Sequence, residues 1–104
     1  DSRSCFQFYP MVNLYSDLHT ARAQGVKLLH LTSEPTSVAD VACSAFGLDF
    51  NNVPASAVPA SYDMRSIHAK GADGASGYQY NRQATLLAIR AYHQSEPDAS
   101  GHLK

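Results

Sequence analysis

The chain has no tryptophan, only two cysteines and few charged residues. Its 104 residues include 8 Lys and Arg against 9 Asp and Glu, a formal net charge of -1. Nucleic-acid binding needs a basic face, and this composition does not supply one. The sequence also lacks the run of about 18 apolar residues that a membrane-spanning helix requires. These absences predict one small domain over residues 1–104 that binds neither nucleic acid nor membrane.

Cysteine and histidine are too sparse to build a disulfide framework or a metal site. Cys5 and Cys43 lie far apart, in apolar settings, whereas a small secreted scaffold would carry more cysteines. We predict two free thiols in a cytoplasmic protein, with a single disulfide as the alternative. No two of the five histidines stand four residues apart and no Cys-x-x-Cys motif occurs, so no metal ligand is assigned.

Large apolar side chains are scarce as well. Leu, Ile, Val and Phe make up about a fifth of the chain, near the level at which a sequence struggles to enclose its own core. Alanine is the commonest residue, with 15 copies. We therefore expect either a lean independent domain or a fragment of a larger protein that shares its core.

Hydrophobic periodicity in the first half predicts alternating strands and helices. Residues 4–9 alternate as a strand does, and residues 11–22 place apolar side chains at helical spacing. Residues 26–32 are almost continuously apolar, which predicts a strand covered on both faces. Residues 38–46 form a second apolar helical stripe, with Ser37 as its cap. This order is typical of an α/β unit.

The second half is richer in loops. Residues 51–61 contain prolines and small residues without a period, which predicts a Pro/Ala-rich surface loop. Residues 71–77 are expected to be a flexible turn, and Asn81 to cap a helix over residues 82–94. Residues 95–104 are expected to be a frayed tail. The predicted fold class is α/β, an α+β lobe of strand-helix-strand-helix followed by a loop-rich segment and a carboxyl-terminal helix.

The chain contains no self-sufficient catalytic motif. The glycines of residues 71–77 lack the Lys-Ser/Thr pair of a P-loop, and no tyrosine has a lysine four residues later. The Gly-x-Ser-x-Gly elbow of a hydrolase is also missing, which makes a small hydrolase the weakest interpretation. No residue is therefore assigned a catalytic or cofactor-binding role.

The order of the predicted elements resembles a known family. The stretch FQFYPMVNLYSDLHTARAQGVKLLHLTSEPTSVADVACSAFG is similar to the carboxyl-terminal, substrate-binding portion of the NAD(P)-dependent epimerase/dehydratase family, the extended short-chain dehydrogenase/reductases. Phe8, Tyr9 and Asp17 resemble that family's aromatic strand and mid-helix Asp. TSVADVA is similar to its S-x-x-E-x-A motif, with Asp40 in place of Glu.

A later stretch, YDMRSIHAKGADGASGYQYNRQATLLAIRAYHQ, resembles the closing part of the same family. Asp63, Gly77 and Tyr78 fall on positions that the family's pattern marks with an Asp and a Gly-aromatic step. The resemblance covers roughly residues 6–94. It implies a fragment of a larger Rossmann-type enzyme that uses NAD or NADP, since the family's cofactor fingerprint and Tyr-x-x-x-Lys dyad are not among these residues.

In such an enzyme this portion would bind a nucleotide sugar, or another small carbonyl or hydroxyl substrate, without being catalytic alone. It would pack on an N-terminal Rossmann domain, or on a second copy in a homodimer. The candidate substrate-binding residues are Gln7, Tyr9 and Arg65. Arg65 is the best partner for a diphosphate, because a guanidinium group binds phosphate oxygens in a fork. The alternative is a stand-alone α/β ligand-binding or protein-interaction module without a cofactor.

Overall fold

A computed structural model describes residues 1–69 and 77–96 of the protein. It combines a two-stranded antiparallel sheet with three α-helices, which is consistent with the predicted general α/β class. In chain order the elements are β1 (Cys5–Phe6), α1 (Leu14–Ala23), β2 (Thr36–Ser37), α2 (Val38–Phe46) and α3 (Arg82–Ser95). A short 3-10 helix, Met11–Asn13, leads directly into α1.

The helices begin and end near the predicted residues, because their boundaries are set by local hydrogen bonds. Ser37 Oγ accepts from the backbone N–H of Asp40 at 3.1 Å and so caps α2. Gly47 ends α2 in the left-handed conformation, with φ of 67°, which glycine adopts without a steric cost. Asn81 Oδ1 accepts from Ala84 N at 2.8 Å and caps α3. The predictions for these helices are confirmed.

The predicted strand over residues 26–32 is wrong. The strand that pairs with β1 is Thr36–Ser37, directly before α2, and the pairing is antiparallel. The backbone groups of Thr32 bond to Gln79 instead. The Thr32 carbonyl accepts from Gln79 N at 2.9 Å, and the Thr32 N–H donates to the side-chain oxygen Gln79 Oε1 at 2.6 Å. Leu28 is 73% exposed, so this apolar run is not covered on both faces. Continuous apolarity alone does not distinguish a buried strand from an irregular segment.

The β1 strand is shorter than predicted but has neighbours on both sides. Cys5 lies opposite Ser37 of β2 and forms an isolated parallel bridge with Ser61 on its other edge. On that edge the N–H of Cys5 donates to Ala60 O at 2.9 Å and its carbonyl accepts from Tyr62 N at 3.1 Å. The end of the Pro/Ala-rich loop is thereby fixed beside β1, which also places Tyr62 next to the sheet.

Apart from Tyr78, the interior of the described residues is built from small and polar side chains. Among residues 1–69 and 77–96, the largest fully buried side chains are Thr36, Thr85 and Ser33, and Ala45 is the buried residue of α2. Helix α2 packs on α3, where the rings of Phe46 and His93 lie 4.3 Å apart. Many large apolar side chains lie instead on the surface, namely Met11, Val12, Tyr15, Leu18, Leu28, Leu48, Phe50, Val53, Val58, Met64, Ile67, Leu87 and Tyr92. Helix α1 has no buried residue.

Two predictions concern residues that the structure describes only in part. Of the predicted glycine turn, residues 71–76 lie outside the described residues, and so does residue 70. Of the predicted tail, residues 97–104 lie outside them. Cys5 and Cys43 are separate free thiols.

Candidate functional site

Gln7, one of the predicted site residues, joins three chain segments through its side chain. Its Nε2 donates to the carbonyl of Ser33 at 2.8 Å and to that of Met64 at 2.7 Å. Its Oε1 accepts from Met64 N at 2.8 Å. The carboxamide therefore bonds to both main-chain polar groups of Met64, as a neighbouring strand would. This fixes the residue directly before Arg65.

Arg65 itself is held in place by an acidic and an aromatic neighbour. Its Nη2 donates to Asp63 Oδ2 at 3.0 Å and its Nε to Asp63 Oδ1 at 3.3 Å. The guanidinium carbon lies 5.1 Å from the centre of the Tyr78 ring, a cation–π distance. The Tyr78 hydroxyl donates to Asp63 in turn. The Arg65 side chain is still 61% exposed, so a ligand has access to it.

The charges of this cluster reinforce one another. Hydrogen bonds from Arg65 and then from Tyr78 hold the pKa of Asp63 below its usual range. The bonds to Asp63 and its negative charge raise the pKa of Arg65. Burial, followed by the hydrogen bond to Asp63, raises the pKa of Tyr78. At neutral pH the cluster therefore contains a carboxylate, a guanidinium and a neutral phenol that serves as a donor.

A cavity of about 520 Å³ opens beside Arg65. One wall is formed by residues 29–32 and the other by Met64 and Arg65. This volume lies within the range of small-molecule sites, about 300–1,000 Å³. His30 is among the lining residues and is exposed. The cavity thus offers a guanidinium group, an imidazole and apolar side chains to one ligand.

Gly77 ties the two walls of the cavity together. Its carbonyl accepts from Thr32 Oγ1 at 2.9 Å on one side and from Ser66 N at 2.8 Å on the other. Its φ of 79° lies in the left-handed region, where L side chains are strained. A Cβ on Gly77 would lie 3.0 Å from Arg65 Cβ. Only glycine allows the backbone to approach Arg65 this closely.

Tyr9, the third predicted residue, does not line this cavity. Its hydroxyl and that of Tyr80 both donate to Asp17 Oδ2, the latter at 2.7 Å, and the two rings meet edge to face at 5.7 Å. Burial is the main reason that the pKa values of Tyr9 and Tyr80 are raised, and the hydrogen bonds to Asp17 add to it. This cluster fixes α1 to the segment that precedes it, through Tyr9, and to the segment that precedes α3, through Tyr80.

A second, mainly apolar groove lies near Tyr9. Its volume is about 600 Å³, and residues 8–12 form one side while the other side is a face of α3 that includes Thr85, Ile89 and Tyr92. The groove holds no cationic side chain among its lining residues. It therefore differs in character from the Arg65 cavity.

The sequence interpretation missed several residues of the Arg65 cavity. Thr32 was placed within a covered strand, and His30 was interpreted as a core or pocket-edge group of that strand. Gly77 was interpreted as the end of a flexible turn and as part of the family resemblance. The sequence did contain a signal for Asp63. It lies two residues before Arg65, and residues at that spacing fall on the same side of an extended backbone. The contact of Gly77 with both walls joins residues that are distant in sequence, and no local pattern indicates it.

The described ranges hold no group of three or more His, Cys, Asp or Glu side chains arranged for a metal ion. Within those ranges no helix combines the length and apolarity needed to cross a bilayer. Comparisons with family models, curated proteins and solved structures give no match to the chain. The function is therefore inferred from the geometry of the site itself.

Proposed function

We propose that this chain is the substrate-binding, carboxyl-terminal portion of an NAD(P)-dependent epimerase/dehydratase, and that the Arg65 cavity binds the diphosphate of a nucleotide sugar. The observation that carries the proposal is the exposed guanidinium of Arg65, held over Tyr78 at the edge of a ligand-sized cavity. A diphosphate is the ligand group that best matches an oriented guanidinium, because its oxygens accept the fork of N–H donors. The proposal includes a cytoplasmic location.

The ion pair with Asp63 sets the expected strength of this site. Asp63 offsets part of the positive charge, so orientation rather than net charge favours binding. We expect a dissociation constant in the millimolar range for the chain alone. In a complete enzyme, contacts with the rest of the substrate would add to this affinity, and pocket contacts of this kind set substrate specificity.

The described residues do not fit NAD(P) itself. A dinucleotide site needs a glycine turn that opens onto a helix N-terminus, where the backbone N–H groups meet the pyrophosphate. Here α2 and α3 begin at the side-chain caps Ser37 and Asn81, and α1 follows a 3-10 helix with Asn13 at its start. We therefore assign the cofactor to an N-terminal Rossmann domain and derive no chemical step through it.

The distribution of apolar side chains supports the idea of a lobe that packs on another domain. Met11, Val12, Tyr15 and Leu18 are all exposed on or next to α1, which has no buried residue. Apolar surface of this extent is typical of regions that other protein covers. In the proposal the cover is the N-terminal Rossmann domain, or a second copy of the chain in a homodimer.

A titration followed by amide NMR tests the proposed ligand. We expect UDP-glucose to shift the signals of Thr32, Arg65 and Gly77, and glucose alone to leave them unchanged. Arg65→Ala should weaken binding roughly tenfold, because it removes a charge-assisted hydrogen-bonding group. Arg90→Ala, at an exposed arginine of α3 outside the cavity, is the matched control. Unchanged spectra with nucleoside diphosphate sugars up to their solubility would reject the proposal.

The natural reading frame that encodes these residues tests the proposed assignment to this enzyme family. We expect it to extend upstream of Asp1 and to encode a Gly-rich fingerprint followed by a Tyr-x-x-x-Lys motif. A frame without these motifs would contradict the assignment to this enzyme family.

The apolar groove favours the alternative of a stand-alone ligand-binding module. Its lining by Tyr9, Ile89 and Tyr92 suits a small uncharged apolar molecule better than a diphosphate. A titration with methylnaphthalene would then shift signals of α3 and leave Thr32 and Arg65 unaffected. Binding of UDP-glucose at Arg65, without a response of α3 to the apolar probe, would exclude this alternative.

A further inference from the structure

We infer that Gln7 is a positioning residue, which sets the spacing of the two cavity walls and the direction in which Arg65 meets its ligand. The inference rests on the proposed function, because that proposal supplies the ligand of Arg65. It changes the expected role of Gln7 from a direct substrate contact to an indirect one.

The hydrogen bonds of Gln7 occupy both of its side-chain donors. Both bonds that its Nε2 donates go to backbone carbonyls, those of Ser33 and Met64. A primary amide has two N–H donors, so the side chain has none left for a substrate. A substrate contact through the amide nitrogen would require one of these bonds to break.

Gln7 lies between the two walls of the cavity and bonds toward each of them. Ser33 directly follows the wall formed by residues 29–32, and Met64 belongs to the opposite wall with Arg65. The side chain of Gln7 bonds to both, so it links the walls on the β1 side of the cavity. Gly77 links the same two walls through Thr32 and Ser66. Gln7 and Gly77 thus fix the cavity at two places.

The backbone around Arg65 shows why a side chain is needed here. Strand β1 ends at Phe6, so its main chain does not continue along the segment that leads to Arg65. Tyr62 N is bonded to Cys5 O, and Ser66 N to Gly77 O. Between these two anchors, the backbone hydrogen bonds of the described residues are those that Met64 makes with Gln7. Removing them frees the backbone on the amino side of Arg65.

A double-mutant cycle separates positioning from a general structural role. Gln7→Met keeps the length of the side chain and removes its hydrogen bonds, and we expect it to weaken UDP-glucose binding about fivefold to tenfold. In an Arg65→Ala background the same change should have less than about a twofold effect, because the group that Gln7 positions is gone. Gln24→Met, at an exposed glutamine that ends α1, is the matched control.

The NMR signal of the Arg65 Nε–H gives a readout without ligand. In the unsubstituted chain this group donates to Asp63, and we expect one protected resonance. Gln7→Met should broaden it or shift it toward the value of a solvated arginine, while Gln24→Met leaves it in place. If Gln7→Met does not fold, Gln7→Glu replaces it, since it retains the oxygen that accepts from Met64 N and loses both donors.

The outcomes separate this inference from the function on which it rests. If Arg65→Ala leaves UDP-glucose binding unchanged, the proposed function fails. If Arg65→Ala weakens binding but the effect of Gln7→Met persists in the Arg65→Ala background, Gln7 acts independently of Arg65 and the inference alone fails. An unchanged Arg65 Nε–H signal in the Gln7 variant that folds would overturn the inference as well.

Discussion

Two clusters in this molecule use the same contact, a tyrosine hydroxyl that donates to an aspartate, in two different settings. In the first, Asp17 accepts from Tyr9 and Tyr80, and the three side chains are partly buried. In the second, Asp63 accepts from Tyr78 and Arg65 beside an open cavity. The first cluster contains no cation, whereas the second presents one to solvent.

Under the proposed function, the same contact supports the fold in one cluster and ligand recognition in the other. Asp17 lies on α1, a helix with no buried residue, so the two phenols supply much of what holds that helix in place. Asp63 lies on a segment that Gln7 and the sheet already fix, so its contacts orient Arg65 instead. We therefore expect substitutions in the first cluster to change folding and those in the second to change binding.

The largest expected effect is that of Asp17→Ala. Two partly buried phenols lose their shared acceptor, and leaving such groups unsatisfied costs about 1–3 kcal/mol each. We expect the free energy of unfolding to fall by about 2–4 kcal/mol, as measured by urea denaturation.

The control for that substitution is Asp49→Ala, at an exposed aspartate outside both clusters. At temperatures where the Asp17→Ala variant is folded, UDP-glucose binding should change less than about twofold, because neither Asp17 nor its two tyrosine partners line the Arg65 cavity. A variant with unchanged stability, or one that loses binding while it remains folded, would contradict the division between the two clusters.

The next largest effect is expected from alkaline pH, which should weaken the first cluster. The pKa values of Tyr9 and Tyr80 are raised above the ordinary tyrosine value of about 10, mainly by burial. The folded state therefore keeps protons that the unfolded state loses above that pH. Their contribution to stability is complete below about pH 10 and declines as pH rises further. Urea denaturation across this range, with phenolate absorbance as a second signal, should show the decline, and Asp17→Ala should reduce it.

Gly77→Ala should produce a smaller loss that affects both stability and binding. The left-handed backbone at this position costs a non-glycine residue about 1–2 kcal/mol. The added methyl group would also press on Arg65 Cβ, 3.0 Å away, and displace the guanidinium. We expect UDP-glucose binding to weaken about fivefold. Gly25→Ala is the control, since Gly25 has a similar φ of 77° but open space around its Cβ position. Equal binding losses in both variants would show that the contact with Arg65 is irrelevant.

The parts of the fold that the sequence predicted are those with local causes. The ends of α2 and α3 follow from Ser37, Gly47 and Asn81, whose roles depend on a few neighbouring residues. The strand over residues 26–32 was predicted wrongly because both backbone groups of Thr32 bond to Gln79, which lies far along the chain. Gln79 uses its backbone N–H for one of these bonds and its side-chain oxygen for the other.

The same division between local causes and long-range contacts applies to the candidate site. Arg65 was identified from its chemistry, and its spacing from Asp63 was available in the sequence. The hydrogen bond from Met64 N to Gln7 Oε1 was not predictable, because it joins two residues that are 57 positions apart in the sequence. Tyr9 was selected as a polar residue next to an apolar run, and the same description fits a residue that secures a helix.

The smallest expected effect, and the sharpest test of the second cluster, comes from two substitutions of Asp63. Asp63→Asn retains an oxygen that accepts from Tyr78 or Arg65 and removes a negative charge beside the ligand. The loss of that charge should tighten UDP-glucose binding by about threefold to fivefold at low salt. Asp63→Ala removes the charge and the orientation together, so we expect weaker binding than in the Asn variant. Because the ion pair with Arg65 is exposed, Asp63→Asn should not lower the unfolding temperature measurably. Asp63→Ala also takes an acceptor from the buried Tyr78 hydroxyl, so we expect it to lower the unfolding temperature modestly. If both variants bind equally, orientation by Asp63 contributes nothing, and the second cluster would differ from the first only in its charge.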